Sequence, residues 1–267
     1  MLNNITLGQY FPGQSFVHRL DPRSKIIGTL LFISAIFLAE SYVSYLILAV
    51  FCLAVIGISG IPLKFVLKSI RPLWLIILIT VLIHFFTTPG RTVFSIGPLT
   101  VSDTGLEQGI LMSIRLVFLI VMSSLMTFTT SPIALTDGIE QLLKPLKRFG
   151  VPAHELAMMM TIALRFIPTL IEETDRIMKA QISRGAEFGS GNILRRAQSM
   201  IPLLVPLFIS AFRRADELAT AMEARCYRGG DERTRMKELQ FQSIDLAAAL
   251  VVLLLVAAVT ALKWFVR

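Results

Sequence analysis

The chain has 267 residues, of which 54% are hydrophobic and only 16% charged, and its mean hydropathy is +0.70. Soluble domains carry about 25% charged residues, so this composition indicates a membrane protein. The net charge is +8. In a membrane protein, Lys and Arg set the orientation in the bilayer and attract anionic lipid. Binding of nucleic acid is not indicated, because no helix-turn-helix, zinc-finger or RNP motif is recognisable.

The sequence predicts neither a cofactor nor a catalytic site. Cys52 stands in an apolar run and Cys226 in a charged region, which argues against a disulfide and against a cysteine-based metal site. The three histidines lack metal-ligand spacing. The chain has no P-loop, GxSxG elbow or kinase signature, so we expect a protein that is not an enzyme. The first residues also lack the pattern of a cleavable signal peptide.

Apolar runs predict five transmembrane helices, for which about 17–25 residues is the usual length. The runs are Ile26–Ala39, Tyr42–Ile58, Leu73–Phe86, Ile110–Thr129 and Leu246–Phe265. Between the second and the third run, Lys64, Lys68 and Arg71 recur at helical spacing and predict a basic helix at the membrane surface. Arg115, near the start of the fourth run, is expected to extend toward the membrane interface.

Most charged residues lie in one region. Residues 131–240 carry 16 of the 26 Lys and Arg and 13 of the 18 Asp and Glu. Two apolar blocks in this region contain prolines, and we interpret them as parts of two long helices, from about His154 to Ser183 and from about Asn192 to Arg225. The positive-inside rule then puts the N-terminus and residues 131–240 in the cytoplasm, and the loops 40–44 and 88–108 outside.

An amphipathic helix is predicted before the two long ones. Asp137 with Glu140 three residues later has the pattern of a capping box. Gly150 followed by Pro152 is typical of a helix end. We therefore expect this helix to begin after Asp137 and to end at Gly150.

The predicted fold is all-α. It is a polytopic membrane protein with about five transmembrane helices and a cytoplasmic region of long helices. Residues 1–130 would form the first four transmembrane helices, residues 131–240 the cytoplasmic and partly membrane-buried region, and residues 241–267 the last transmembrane helix.

A short arginine pattern occurs twice, in "QISRGAEFG" and in "MEARCYRGG". Each copy ends one of the two long helices, and their central residues are Ser183, Arg184, Gly185, Ala224, Arg225 and Cys226. A cation near a helix C-terminus is favourable against the helix dipole, which would explain a single such arginine. Small neighbours also let a partner approach closely, and a guanidinium can grip carboxylates or carbonyls with two donors. The repeat therefore predicts two matched contact points.

Together with these motifs, two further stretches carry a resemblance to a known family. The opening "YFPGQSFVHRLDPRSKI", the stretch "ALRFIPTL" and the triplets "SRG" and "ARC" are similar to signatures of the transmembrane T subunit of energy-coupling factor (ECF) transporters. These transporters import vitamins and metals into prokaryotes. The resemblance covers nearly the whole chain, and the two triplets stand in the family's order between the fourth and the last span.

The resemblance implies a mechanical role in the plasma membrane. A T subunit links two ABC-type ATPases in the cytoplasm to a substrate-binding membrane subunit, the S component, and several S components would share it. The two triplets would be the ATPase-docking motifs on coupling helices within residues 131–240. Arg184 and Arg225 would enter grooves of the two ATPases, and ATP-driven closure of the ATPases would then reorient the S component.

The second triplet departs from the family's pattern. Cys226 stands where the family usually has glycine, and Ser183 stands where it has alanine. Cysteine does not adopt a positive φ freely, which puts a tight backbone approach at position 226 in doubt. A secondary transporter, or another polytopic permease, is the alternative function. It would be favoured by an inverted repeat with a midplane site, and the sequence has no detectable inverted repeat.

Overall fold

The structure is a computed structural model that describes residues 10–89, 92–96, 99–186, 188, 192–227, 229 and 239–266. Two compact units are described. One contains residues 10–138 and 239–266, and the other contains the described residues between 139 and 229. We call the first the membrane unit and the second the long-helix unit.

The described residues form ten α-helices and one short β-hairpin. The helices of the membrane unit are α1 (Phe16–Arg19), α2 (Pro22–Leu38), α3 (Tyr42–Ser59), α4 (Leu63–Ile70), α5 (Trp74–Thr87), α6 (Asp103–Thr129) and α10 (Ser243–Val266). Helix α7 (Pro132–Leu143) crosses from this unit into the other, which contains α8 (Ala153–Ser183) and α9 (Ile193–Ala224). Single 3-10 segments, Arg71–Leu73 and Lys144–Phe149, follow α4 and α7.

The predicted all-α membrane fold is confirmed. The hairpin, in which β1 (Thr92–Ile96) pairs antiparallel with β2 (Leu99–Ser102), lies within the predicted outer loop 88–108 and was not predicted. Its pairing joins Thr92 to Ser102 and Ile96 to Leu99. It connects α5 to α6, and the Ser102 hydroxyl caps α6 by accepting a hydrogen bond of 3.0 Å from the Gly105 N–H.

Among the described residues, five helical stretches are long and apolar enough to cross a membrane: Tyr42–Ser59, Leu63–Thr87, Asp103–Thr129, Ala153–Ser183 and Ser243–Phe265. This set differs from the predicted one. Helix α2 has only 17 residues, because it begins at Pro22 and ends before Glu40. Helix α8 belongs to the set instead of α2. The mean hydropathy of its most apolar 18 residues is only 1.3, whereas the other four stretches have values of 2.1–2.6.

The core of the membrane unit lies where α2, α3, α6 and α10 meet. Its most deeply buried apolar side chains are Phe32, Ala35, Ile36, Leu48, Leu125 and Val259. On the outer faces many large apolar side chains are exposed, among them Leu46 and Leu53 of α3 and Leu253 and Leu254 of α10. Exposed apolar faces on helices of this length are the surfaces that lipid covers.

One local prediction was wrong, and a second stays a prediction. Arg115, which was expected to extend toward the membrane interface, donates hydrogen bonds from its guanidinium to the Tyr45 hydroxyl at 2.9 Å and to the Ala39 carbonyl at the end of α2 at 3.3 Å. Asp137 does not cap α7, which begins at Pro132 after Ser131, whose hydroxyl accepts from the Ala134 N–H at 3.3 Å. Pro132 suits the first helical position, and the helix begins six residues earlier than the capping-box pattern predicted, which is about one and a half turns.

Candidate functional site

The two arginines of the repeated motif end the two long helices, as predicted. Helix α8 runs for 31 residues and α9 for 32, each through internal proline, and their C-cap residues are Arg184 and Arg225. The backbone angles of the two caps nearly coincide, with φ −89° and ψ 6° at Arg184 and φ −92° and ψ 14° at Arg225. All six residues of the two triplets are exposed.

The hydrogen bonds that close the two helix ends also match. In the first, the Gly185 N–H donates to the Ile182 carbonyl at 2.9 Å and the Ala186 N–H to the Gln181 carbonyl at 2.9 Å. In the second, the Cys226 N–H donates to the Glu223 carbonyl at 2.8 Å and the Tyr227 N–H to the Met222 carbonyl at 3.1 Å. This pair of bonds is the Schellman motif. The backbone around the two arginines therefore has the same conformation and the same hydrogen bonds.

The residue after each arginine has a left-handed backbone. Gly185 has φ +89° and Cys226 has φ +57°, and Cys226 is the one residue other than glycine with a positive φ in the described part of the chain. A side chain in this region costs about 1–2 kcal/mol, so Cys226 adopts its conformation against its own preference. The departure from glycine therefore leaves the shape of the second helix end unchanged.

Helices α8 and α9 pack antiparallel. Arg214 of α9 donates a hydrogen bond of 2.7 Å to Glu173 of α8, and the Gln181 side chain near the end of α8 donates to the Pro202 carbonyl near the start of α9 at 3.4 Å. The two helix ends with the arginine motifs are consequently at opposite ends of the pair. A helix of 31 residues is about 46 Å long, so the two motifs are on the order of 40 Å apart.

Side chains from three elements meet beside the second motif. Nδ1 of His154, in the first turn of α8, lies 3.0 Å from Oε1 of Glu140 in α7, and a carboxylate can only accept, so Nδ1 carries the proton. Nε2 of His154 lies 3.3 Å from the Tyr227 hydroxyl, which is 3.0 Å from the sulfur of Met158. We call Glu140, His154 and Tyr227 the His154 cluster. The first motif has Ala186 in place of Tyr227.

An apolar groove runs between α8 and α9 on the side of the second motif. Its volume is about 500 Å³, and its lining includes Ile162, Phe166, Leu170, Leu218, Met222 and Tyr227. Arg214, whose guanidinium is paired with Glu173 at 2.7 Å, also belongs to the lining. Its wall offers hydrophobic contact rather than a set of polar groups that would orient a small molecule.

Comparison with known families shows to which family the chain belongs. The family CbiQ, described as cobalt transport protein, matches residues 13–236, a range that includes both arginine motifs. The chain belongs to this family. Within it, the chain is similar along its whole length to proteins named energy-coupling factor transporter transmembrane protein EcfT. The resemblance seen in the sequence is thereby confirmed, and the chain is a transmembrane component of the ECF transporter type.

The relatives are close. EcfT of Acidaminococcus fermentans is 60% identical over 264 residues, which cover 99% of this chain and 98% of the relative. EcfT of Clostridium kluyveri is 55% identical over 258 residues, 96% of each chain. EcfT of Bacillus subtilis is 48% identical over an alignment of 268 residues that covers both chains completely.

The family name includes cobalt, yet the described residues contain no group of three or more His, Cys, Asp or Glu side chains placed to hold a metal ion. The two arginine motifs of this CbiQ-family chain each have an exposed arginine at a helix end. An exposed guanidinium can donate two parallel hydrogen bonds to a carboxylate or to carbonyls.

Proposed function

We propose that the chain is the T subunit of an ECF-type importer and couples ATP hydrolysis by two ABC-type ATPases to vitamin or micronutrient uptake through an S component. The observation that carries this proposal is the matching backbone geometry of Arg184 and Arg225 at opposite ends of the helix pair. Two similar ATPases would need two similar contact points on the chain. The two arginine motifs are on the order of 40 Å apart, which leaves room for a separate ATPase at each motif.

In this proposal the two triplets are docking sites. The residues are Ser183, Arg184, Gly185, Ala224, Arg225 and Cys226, and each triplet would insert its arginine into a groove of one ATPase. Guanidinium groups suit such grooves because they hold carboxylates or carbonyls with two parallel donors. The small residue before each arginine keeps the helix end narrow.

The proposal also gives an orientation in the plasma membrane. Because ATP is hydrolysed in the cytoplasm, the N-terminus and the coupling region 131–240 would be cytoplasmic. The 16 Lys and Arg of that region agree with this side. The three proposed regions, 1–130, 131–240 and 241–267, would then serve as membrane anchor, coupling region and last span.

The S component would bind apolar surface, and several S components would share the chain. Met159 and Met160 of α8 have 57% and 53% of their surface exposed. Methionine is flexible and polarizable, so it fits partners of different shape. The transport activity would require the partners, and the isolated chain would neither hydrolyse ATP nor bind a vitamin tightly.

The docking proposal is tested by charge reversal. The tagged chain is expressed with its own ATPases and an S component, and the subunits retained on the tag are measured. The double variant Arg184→Glu with Arg225→Glu should lose both ATPases, whereas each single variant should keep the ATPase at the intact motif. A matched control, Arg176→Glu with Arg213→Glu, makes the same charge change at exposed positions of the same helices and should retain both. Normal assembly and uptake by the double docking variant would refute the proposal.

A further inference from the structure

The N-terminal signature has no part in the proposed docking. Its residues 18–25, "HRLDPRSK", comprise the end of α1, the two residues between α1 and α2, and the first turn of α2. The Asp21 side chain caps α2 by accepting a hydrogen bond of 2.9 Å from the Arg23 N–H, and Pro22 occupies the first helical position. A cap and a proline explain a helix start, but they do not explain the two cations that follow.

Two carboxylates and two cations of this region form one buried network. Asp21, Lys25 and Asp245 have only 6%, 8% and 3% of their surface exposed. Asp245, in the first turn of α10, accepts hydrogen bonds from the Asp21 N–H at 2.7 Å and from the Gln242 N–H at 2.9 Å. Residues 224 positions apart are thus joined through a buried carboxylate.

Arg23 and Lys25 extend this network to other segments. The Arg23 guanidinium donates to both Asp21 carboxylate oxygens, at 3.1 and 3.0 Å, and to the Leu239 carbonyl at 2.8 Å. It also lies 4.1 Å from the centre of the Phe241 ring. The Lys25 ammonium donates to the Thr129 carbonyl at the end of α6 at 2.9 Å. We call Asp21, Arg23, Lys25 and Asp245 the N-terminal clasp.

The clasp lies at the two points where the chain passes between the units. The chain leaves the membrane unit after Gly138 and returns to it at Leu239. The Leu239 carbonyl is held by Arg23. Gly138 packs on Pro22 so closely that an added Cβ would be 2.9 Å from the Pro22 Cβ. One short segment therefore contacts both the last residue of the membrane unit before the long-helix unit and the first residue after it.

Stability alone is a poor explanation of such a network. Removing charges from water is costly, and apolar residues of similar size often stabilise a site equally well. Charged hydrogen bonds differ from apolar contacts in having a direction: Nε and Nη2 of Arg23 and the ammonium of Lys25 donate to oxygen atoms at distances of 2.8–3.2 Å. The network therefore fixes geometry at the two connections more strictly than apolar packing would.

We infer that the N-terminal clasp is the anchor through which the long-helix unit moves the membrane unit. If both connections are held, a displacement of α8 and α9 is passed on to α2, α6 and α10; if they are loose, the displacement is lost in the connections. Asp21, Arg23, Lys25 and Asp245 are thus positioning residues for coupling. This inference rests on the proposed function, because it presumes that the ATPases move the long helices.

The test measures uptake and hydrolysis in the same preparation. The complex is reconstituted in proteoliposomes with its two ATPases and a riboflavin-binding S component, and tritiated riboflavin is the transported probe. Arg23→Gln removes the guanidinium bonds to Asp21 and to Leu239 but leaves the backbone bond to Asp21, while Arg23→Lys keeps the charge. Arg19→Gln is the matched control, since Arg19 is exposed in the same segment. Asp245→Asn tests the same clasp from α10.

Arg23→Gln should retain both ATPases and hydrolyse ATP, but riboflavin taken up per ATP should fall about fivefold or more, the order of effect of losing hydrogen bonds to charged groups. Arg23→Lys should restore part of the ratio, and Arg19→Gln should equal the wild type. A wild-type ratio in both Arg23→Gln and Asp245→Asn overturns the clasp inference and leaves the proposed function intact. A parallel loss of uptake, hydrolysis and thermal stability would show a purely structural role and also overturns it. A wild-type complex without ATPases or uptake refutes the proposed function itself, and the coupling role of the clasp with it.

Discussion

The Tyr227 hydroxyl lies 3.3 Å from Nε2 of His154, 73 positions earlier in the chain. Tyr227 is the second residue after Arg225, so this contact ties the end of α9 to the first turn of α8. Glu140 holds the other ring nitrogen of His154 at 3.0 Å. The second arginine motif is thereby attached to its neighbours by side chains, whereas Ala186 gives the first motif no such attachment.

Removal of this hydroxyl should loosen the second motif only. Tyr227→Phe keeps the ring and removes the bond to His154, which is expected to cost about 0.5–1.5 kcal/mol locally. Amide hydrogen exchange of residues 222–227 should become faster, because local opening is governed by local contacts. Residues 181–186 of the first motif are an internal control and should exchange at the wild-type rate.

His154→Ala should also speed exchange at residues 222–227, and the double variant should be accelerated by less than the sum of the two single effects, because both substitutions remove the contact between His154 and Tyr227. Additive effects of the two substitutions would contradict a shared contact, because residues that act through one interaction are not additive. Equal acceleration at both motifs would show general destabilisation instead.

The left-handed residues after the two arginines predict opposite effects of two substitutions. Cys226→Gly should stabilise the long-helix unit by about 1 kcal/mol, because glycine adopts a positive φ without the steric penalty. Gly185→Ala should destabilise by a similar amount. A steric clash with neighbouring residues does not contribute, since a Cβ on Gly185 would have no atom within 4 Å. Thermal unfolding in detergent should therefore shift up for one variant and down for the other, by about 2–4 °C per kcal/mol.

Cys226→Val is the informative third variant. A β-branched side chain tolerates a positive φ poorly, so this variant should be less stable than the wild type. If Cys226→Gly lowered the unfolding temperature, the thiol would be making a stabilising contact that its exposed position does not indicate.

The close contact of α5 with α6 depends on Gly105. A Cβ at this position would lie 2.5 Å from the His84 carbonyl oxygen and 2.7 Å from the Ser102 hydroxyl. Gly105→Ala is therefore expected to destabilise the membrane unit by about 1–3 kcal/mol, the usual cost of overpacking. The unfolding temperature in detergent should fall accordingly.

Gly57→Ala is the matched control for Gly105→Ala. Gly57 is also helical and a Cβ there meets nothing within 4 Å. Alanine is the better helix former by about 0.5–1 kcal/mol, so this variant should be neutral or more stable. The prediction for Gly105 is wrong if the two variants behave alike.

Much of the fold could be predicted because its signals are local. The ends of α8 and α9 were predicted at Ser183 and near Arg225, since glycines follow each helical run in the sequence, and the structure agrees. The all-α class followed from composition and from long apolar runs. The equivalence of Arg184 and Arg225 followed from repeated spacing, and the matching backbone angles bear it out, while their docking role stays a prediction.

What sequence reasoning missed depends on contacts between distant residues. Nothing in the pattern around Arg184 or Arg225 indicates that α8 and α9 pack antiparallel, and so the motifs were not expected at opposite ends of a pair. His154 was a lone histidine at a helix start until folding brought Tyr227 beside it. The hydrogen bonds of Arg115 were not predicted, because its partners, the Tyr45 hydroxyl and the Ala39 carbonyl, belong to another part of the chain.

The ion pair between Glu173 and Arg214 offers a direct measure of how firmly the two long helices are joined. The pair is 2.7 Å long, and its side chains are 23% and 33% exposed. A partly exposed pair contributes about 0.2–1 kcal/mol after solvent screening. We expect a coupling energy within this range from a double-mutant cycle of Glu173→Gln and Arg214→Gln, read from unfolding in detergent.

The i,i+4 pair of Asp175 and Lys179 on α8 is the comparison for this cycle. It lies within one helix at 2.6 Å, and its side chains are 33% and 74% exposed. A double-mutant cycle of this pair should give a smaller coupling energy than the cycle of Glu173 and Arg214. Raising the salt concentration should reduce both coupling energies, because exposed charges are screened. A coupling near zero for Glu173 and Arg214 at low salt would mean that apolar packing alone joins α8 to α9. The ion pair would then have no part in keeping the two arginine motifs apart.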